Sequence, residues 1–138
     1  MNIRLAAIND IETIATYDIH INKNELLTSI KLNRVYIVSS NNLFVGWLRY
    51  SLFWDNTPFM NMLYILEEHQ NKGYGTKLVE RWENDMHELH YDVVLTSTAS
   101  NEYAQHFYMK LGYQVIGGFT LNQNPYEIIL SKNLEDMH

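Results

Sequence analysis

The chain has no cysteine. That removes disulfides, thiolate metal sites and a cysteine nucleophile, and it fits a protein kept in the cytoplasm. No apolar run approaches the ~20 residues that a membrane-spanning helix requires, so no membrane association is expected. The opening residues Met1-Asn2-Ile3-Arg4 carry no signal-peptide core and read as the start of a strand. Internal repeats and low-complexity tracts are absent too. Basic residues are scarce: ten Lys and Arg stand against sixteen Asp and Glu, a formal charge of −6. Such a surface repels a phosphate backbone, so nucleic acid is not an expected partner, and it attracts a cationic amine more readily.

What the chain does have is enough apolar residue for a core. At 138 residues and 46% hydrophobic content it reads as one domain over 1–138. Its most informative stretch is Gln70-Asn71-Lys72-Gly73-Tyr74-Gly75-Thr76, set between the apolar run Phe59 to Leu66 and a helical pattern from Lys77 to His90. A strand that turns through glycines into a helix builds an anion site. The glycines let main-chain N–H groups approach a ligand, and the helix aims its free N–H groups and positive dipole end at the same place. No window supplies a Walker A loop. Leu78 stands where a Rossmann fingerprint needs a third small residue. Gln-x-x-Gly-x-Gly remains, and taken alone it also fits an ordinary strand-to-helix turn.

A second constellation, Ser100-Asn101-Glu102-Tyr103-Ala104-Gln105-His106-Phe107-Tyr108-Met109-Lys110-Leu111-Gly112-Tyr113, follows about thirty residues later. Ser100 or Asn101 is placed to cap a helix. Ala104, Phe107, Tyr108 and Leu111 share one face, with Phe107 in the core, and Gly112 ends the helix. Together, Gln-x-x-Gly-x-Gly and Asn-x-x-Ala-x-x-Phe-Tyr-x-x-x-Gly-Tyr resemble the acetyl-CoA motifs of the GCN5-related N-acetyltransferase (GNAT) superfamily, over roughly residues 59 to 113.

The resemblance implies an α/β (α+β) fold: a mixed central sheet of about seven strands, helices on both faces, in the order βααβββαβαββ. It implies acetyl-CoA as cosubstrate, no metal, and a primary amine as acceptor, either a small molecule or a protein amine. A homodimer also falls within what relatives do. The backbone of Leu63, Tyr64 and Ile65 would hold pantetheine in a gap between splayed parallel strands. Gln70 opens the loop whose N–H groups, from Asn71 through Lys72, Gly73, Tyr74 and Gly75 to Thr76, would hold the pyrophosphate, with Lys72 or Lys77 adding charge. Asn101 would cap its helix and touch the cofactor. Tyr108 would contact the sulfur and donate a proton to the leaving thiolate, since a phenol stays protonated at neutral pH; a packing tyrosine is its plainer reading. Attack is direct, which suits a chain without a cysteine nucleophile.

Departures from the commoner pattern are Gln70 for arginine, Asn71 for glycine and Glu67 for proline. The stretch Val93 to Thr98 lacks the carboxylate that some relatives use as base. The candidates are then Glu67, Glu68, His69, Asp55, His20, or a chain of waters. Among the hairpin aromatics, Trp47 and Phe59 read as core and Trp54 as the pocket residue. Two other functions stay open: an acyl-CoA-binding module without turnover, and a generic nucleotide-binding domain.

The expected elements are strands at 2–6, 34–39, 43–53, 59–66, 93–97, 113–119 and 126–131. Helices are expected at 11–20, 23–32, 77–90 and after Asn101. Asn9-Asp10 is expected to cap the first helix and Asp55 to Pro58 to form a turn. The strand Phe59 to Leu66 is expected to be covered on both faces, and Leu78, Val79, Trp82, Met86 and Leu89 to form one buried stripe.

Overall fold

The succession βααβββαβαββ is the one that forms. The computed structural model describes residues 1–122 and 124–135. In chain order the elements are β1 (Asn2–Leu5), α1 (Ile11–Tyr17), α2 (Lys23–Lys31), β2 (Val35–Ser40), β3 (Leu43–Phe53), β4 (Thr57–Ile65), α3 (Tyr74–Glu88), β5 (Val93–Ala99), α4 (Ala104–Lys110), β6 (Gln114–Phe119) and β7 (Glu127–Asn133). Short 3-10 turns precede α1 (Ile8–Asp10) and α3 (Glu67–His69). The strands form one seven-stranded sheet in the order β1-β2-β3-β4-β5-β7-β6. It is mixed: β4 and β5 run parallel, while β1/β2, β2/β3, β5/β7 and β6/β7 are antiparallel. Two hairpins turn through consecutive left-handed residues, Asn41-Asn42 (φ 52° and 64°) and Trp54-Asp55 (φ 56° and 66°). Such turns match the twist of the strands they join.

The chain divides into two compact units, Met1–Ser51 with Met62–Arg81, and Leu52–Asn61 with the residues from Trp82 onward. In the first unit Ala6, Ile14, Leu26, Ile30, Val35, Ile37 and Trp47 form a buried cluster. Helical spacing puts Leu26 and Ile30 on one face of α2, and Asn22 caps that helix by accepting from the Glu25 N–H at 2.8 Å. In the second unit Val94, Thr96 and Thr98 alternate as the buried positions of β5. Phe59 lies opposite Leu95 and Met60 opposite Thr96. The Thr96 hydroxyl donates to the Met60 carbonyl at 3.0 Å.

Several boundaries and exposures differ from the sequence expectation, each for a local reason. Helix α1 stops at Tyr17 rather than near residue 20, because Asp18 leaves the helix (φ −91°, ψ 94°) and commits its carboxylate elsewhere. Asp10 does not cap α1; its carboxylate reaches back to Arg4 and the Ala7 N–H, both at 2.7 Å. Pro58 lies inside β4, not in a turn; near the start of a strand its missing N–H is tolerated. Leu89 is 59% exposed, since α3 ends at Glu88, whereas Leu78, Val79, Trp82 and Met86 are buried. The second half of β4 is not covered throughout: Asn61 and Tyr64 are exposed, and Tyr64 is a cavity wall instead.

Candidate functional site

Sequence places the glycine loop, and the structure gives it shape. Asn71 (φ 63°) and Gly73 (φ 87°) both adopt left-handed backbone conformations, so the chain reverses tightly after the 3-10 turn and enters α3 at Tyr74. Tyr74, Gly75 and Thr76 occupy the first turn of a 15-residue helix, where N–H groups have no intrahelical acceptor. The first such bond here is from the Lys77 N–H to the Gly73 carbonyl, at 3.1 Å. Gln70, Asn71, Lys72 and Gly73 are exposed, and Tyr74 to Thr76 are half-buried. The Gln70 side-chain amide donates to the Ile65 carbonyl at 2.8 Å and so ties the loop to the end of β4. Leu63 and Ile65 are half-buried and Tyr64 is exposed. Lys77 faces Glu80 at 3.5 Å on the helix surface.

Gly46, which the sequence reading passed over, holds β3 and the end of β4 close together. A Cβ there would sit 2.4 Å from the Tyr64 carbonyl oxygen and 3.1 Å from the Ile65 Cα. The β2/β3 register slips at this point, Val38 pairing with Gly46 but Ser39 with Phe44, which leaves Val45 as the extra residue of a bulge. The Val45 carbonyl then accepts from the Leu66 N–H at 2.8 Å. Glycine at a bulge where another backbone approaches is the pattern that could have been read from the sequence.

A cavity of about 410 Å³ opens beside this strand end, lined by Tyr17, Ile19, His20, Trp47, Met62, Tyr64, Leu66, Glu67 and Glu68. Three of the five side chains weighed as a base, His20, Glu67 and Glu68, are thus brought together. His69 instead packs edge-on against Tyr74, centroids 6.3 Å apart. Asp55 sits in the Trp54-Asp55 turn of the other unit. Trp54, the expected pocket residue, is 78% exposed on its hairpin tip against Phe53. Trp47, expected as core, is buried and lines the cavity as well.

The loop that carries Ile19 and His20 is anchored by a buried network. Asp18 accepts from Arg49 Nε at 2.7 Å, from the Trp47 indole N–H at 3.0 Å and from the His20 N–H at 3.2 Å. Arg49 is the one charged residue of the apolar strand β3, which was the signal that a carboxylate had to face it. Burial pushes the Asp18 pKa up, but the hydrogen bond and charge of Arg49, with the Trp47 and His20 donors, outweigh it and leave the pKa below the usual value. A depressed carboxylate contributes stability that is fully present above its unfolded pKa of about 3.9 and is lost as pH falls through the lower folded value. Asp18→Ala is expected to lower stability by about 3–5 kcal/mol at neutral pH, because it strands a buried guanidinium. Urea unfolding followed from pH 7 down to pH 3 checks this: wild-type stability should drop below about pH 4, and the variant should lack that contribution to the drop.

In the second unit α4 begins at Ala104, with Tyr103 as its N-cap and no side-chain cap bond. Asn101 is exposed and does not cap the helix, contrary to expectation. Residues 99–103 turn on themselves first, the Glu102 N–H donating to the Ala99 carbonyl at 3.0 Å. The Gln105 amide then satisfies the Ser100 and Glu102 carbonyls at 2.8 and 3.0 Å. Phe107 is half-buried rather than core. Gly112 (φ 100°) ends the helix as expected: its N–H donates to the Met109 carbonyl and the Tyr113 N–H to the Tyr108 carbonyl, both at 3.1 Å, a Schellman close.

That close fixes the turn bearing Tyr108, which is 6% exposed with its ring 5.6 Å from that of Tyr113. Burial pushes the Tyr108 hydroxyl up to about 12; a hydrogen bond with Thr96 pulls it down and the charge of Glu102 adds to the rise. Tyr108 is therefore a phenol at any working pH. Behind it Glu83, buried on α3, accepts from the Tyr113 hydroxyl at 2.8 Å and from Lys132 at 2.9 Å. Burial, then the Glu83 carboxylate, drives the Tyr113 hydroxyl far above its ordinary value.

Among the described residues no group of three or more His, Cys, Asp or Glu is placed to hold a metal ion. Nor is any of their helices long and apolar enough to cross a membrane.

A seven-stranded mixed sheet with a glycine turn leading from β4 into α3 is the architecture of acyl-CoA acyltransferases. The acetyltransferase (GNAT) family model matches residues 6–113, and the chain belongs to that family. Among solved structures the chain is similar to a GNAT-family acetyltransferase from Bacillus cereus, at 24% identity and TM-score 0.78 over 96% of both chains. It is similar to yncA from Salmonella typhimurium, solved with its cofactor acetyl-CoA, at 17% identity and TM-score 0.81 over 100% of this chain and 96% of that one. It is also similar to the PaiA N-acetyltransferase of Thermoplasma acidophilum in complex with coenzyme A, at 18% identity and TM-score 0.77 over 96% and 98%. At these identities the likeness shows the fold. No curated protein matches the chain.

Proposed function

We propose that the chain transfers an acetyl group from acetyl-CoA to a primary amine by direct attack. The observation that carries the reading is the loop Asn71 to Thr76. Two left-handed residues lead into the first turn of a long helix, whose N–H groups have no intrahelical acceptor, in a stretch whose motif resembles the family's coenzyme A loop. On this reading those N–H groups hold the pyrophosphate, with Lys72 exposed at the rim. Leu63, Tyr64 and Ile65 offer main chain to the pantetheine, the Ile65 carbonyl sharing its acceptor capacity with Gln70. Asn101 keeps only the role of an exposed turn residue that can touch the cofactor.

The ammonium loses a proton to water, its neutral nitrogen bonds the thioester carbonyl carbon, and the nitrogen gives a second proton to water as the tetrahedral intermediate collapses and the carbon–sulfur bond breaks. Tyr108 acts on the departing sulfur. A buried hydroxyl near 12 is less acidic than an ordinary thiol at about 8.5, so full transfer of its proton to a thiolate is uphill. Its role is that of a hydrogen-bond donor to the developing charge, with the proton reaching sulfur from solvent. On this reading the amine side is the cavity whose lining includes His20, Glu67 and Glu68.

Titration calorimetry with acetyl-CoA, followed by thiol release in the presence of an amine library, tests the proposal. Micromolar binding with amine-dependent release is expected. Binding without release would turn the reading to an acyl-CoA-binding module, and no binding would remove both.

A further inference from the structure

The cavity in the first unit combines two chemistries. One part is apolar and aromatic: Tyr17, Trp47 and Tyr64 with Met62 and Leu66. The Trp47 ring lies 6.3 Å from Tyr17 and 5.6 Å from Tyr64, centroid to centroid, so the aromatic surface is contiguous. The other part is Glu67 and Glu68 from the 3-10 turn, with His20 from the α1–α2 loop. No Lys or Arg stands among the described residues that line it. A cation gains from both parts, by charge attraction and by contact with ring faces. A ligand bearing a carboxylate meets two like charges with no permanent positive charge to offset them.

We infer that this cavity selects an acceptor carrying a second cationic group and no carboxylate: a small aliphatic diamine or a longer polyamine. The inference rests on the proposed acetyl transfer, which makes the cavity the acceptor subsite. The reacting nitrogen must be neutral to attack, so it is not the charge that Glu67 and Glu68 hold. A second ammonium, which stays charged throughout, is. The placement is coherent within the strand. Met62 and Tyr64 alternate along the end of β4, so their side chains share one face, and Leu66 follows just past the strand. The main chain between them, at 63–65, is the part assigned to pantetheine. Asp18 anchors two of the other lining residues, accepting from the Trp47 indole and the His20 N–H. Glu67 and Glu68 are exposed, so each contact with an ammonium is worth only about two- to fivefold in affinity.

Calorimetric titration of the protein without acetyl-CoA, at low salt, against 1,4-diaminobutane, butylamine and 4-aminobutanoate tests this. Both amines are ammonium ions in this titration; diaminobutane, with one ammonium more, should bind about two- to fivefold more tightly than butylamine, and aminobutanoate most weakly. Glu67→Gln with Glu68→Gln should erase the preference while circular dichroism stays unchanged. Equal binding of diaminobutane and butylamine, or a preference that survives in the folded double variant, overturns the inference. A parallel titration of the wild type with acetyl-CoA separates the two readings. Diamine preference without acetyl-CoA binding defeats acetyl transfer and leaves the cation site; acetyl-CoA binding without diamine preference defeats the acceptor class alone.

Discussion

Tyr108→Phe is expected to lower kcat by about ten- to a hundredfold, with the KM for acetyl-CoA changing far less. The range follows from the bond removed: a hydrogen bond to a charged atom is worth about 1.5–3 kcal/mol, and each 1.36 kcal/mol is a factor of ten in rate. The charge on sulfur exists only as the thiolate departs, so the loss falls on the transition state and not on cofactor binding. Two structural points make the test clean. The Tyr108 ring is already buried against Tyr113, so phenylalanine keeps the packing. The hydroxyl, near 12, does not titrate in the assay range, so the loss should be independent of pH between 6 and 9. Steady-state kinetics at several pH values measure it. A kcat equal to wild type would leave Tyr108 as a packing residue closed in by the Gly112 Schellman turn.

Gly46→Ala is expected to be among the most damaging single-methyl additions in the first unit. The new Cβ would lie 2.4 Å from the Tyr64 carbonyl oxygen, and neither that oxygen nor the Ile65 Cα at 3.1 Å is the end of a flexible side chain. Backbone must move, at about 1–3 kcal/mol for an overpacked site and more where relaxation is blocked. What moves is the stretch 64–65, whose main chain is proposed to hold pantetheine and whose neighbour Leu66 donates its N–H to the Val45 carbonyl. A lower urea midpoint and at least a tenfold weaker acetyl-CoA affinity should appear together. Gly73→Ala provides the contrast. Nothing lies within 4 Å of a Cβ there, so its stability cost is confined to the left-handed backbone (φ 87°), about 1–2 kcal/mol. If Gly46→Ala were no more destabilising than Gly73→Ala, the close approach of β3 to β4 would not constrain the fold.

Regular segments were legible because their periodicity is local. Leu26 and Ile30 on α2 could be read from spacing alone. The glycine loop was legible for a related reason, since Gly73 at positive φ and a helix opening directly after it are consequences of neighbouring residues. Ends were misread where a side chain is claimed by a distant partner. Asp18 reads as helical until Arg49 and Trp47, some thirty positions away, take its carboxylate. Asn101 reads as a cap until the turn at 99–103 delays the helix. Leu89 fits the stripe of α3 but lies past its last turn.

By itself the sequence determined the order of elements and the family motifs, because both depend on residues close together in the chain. Only the tertiary structure decided that Trp47 and not Trp54 walls the cavity. It alone gathered His20 with Glu67 and Glu68, and it alone left Gly46 no room for a side chain. Those outcomes depend on which strand lies beside which and on where a bulge shifts the register. Hydrophobic spacing along a single segment carries no record of either.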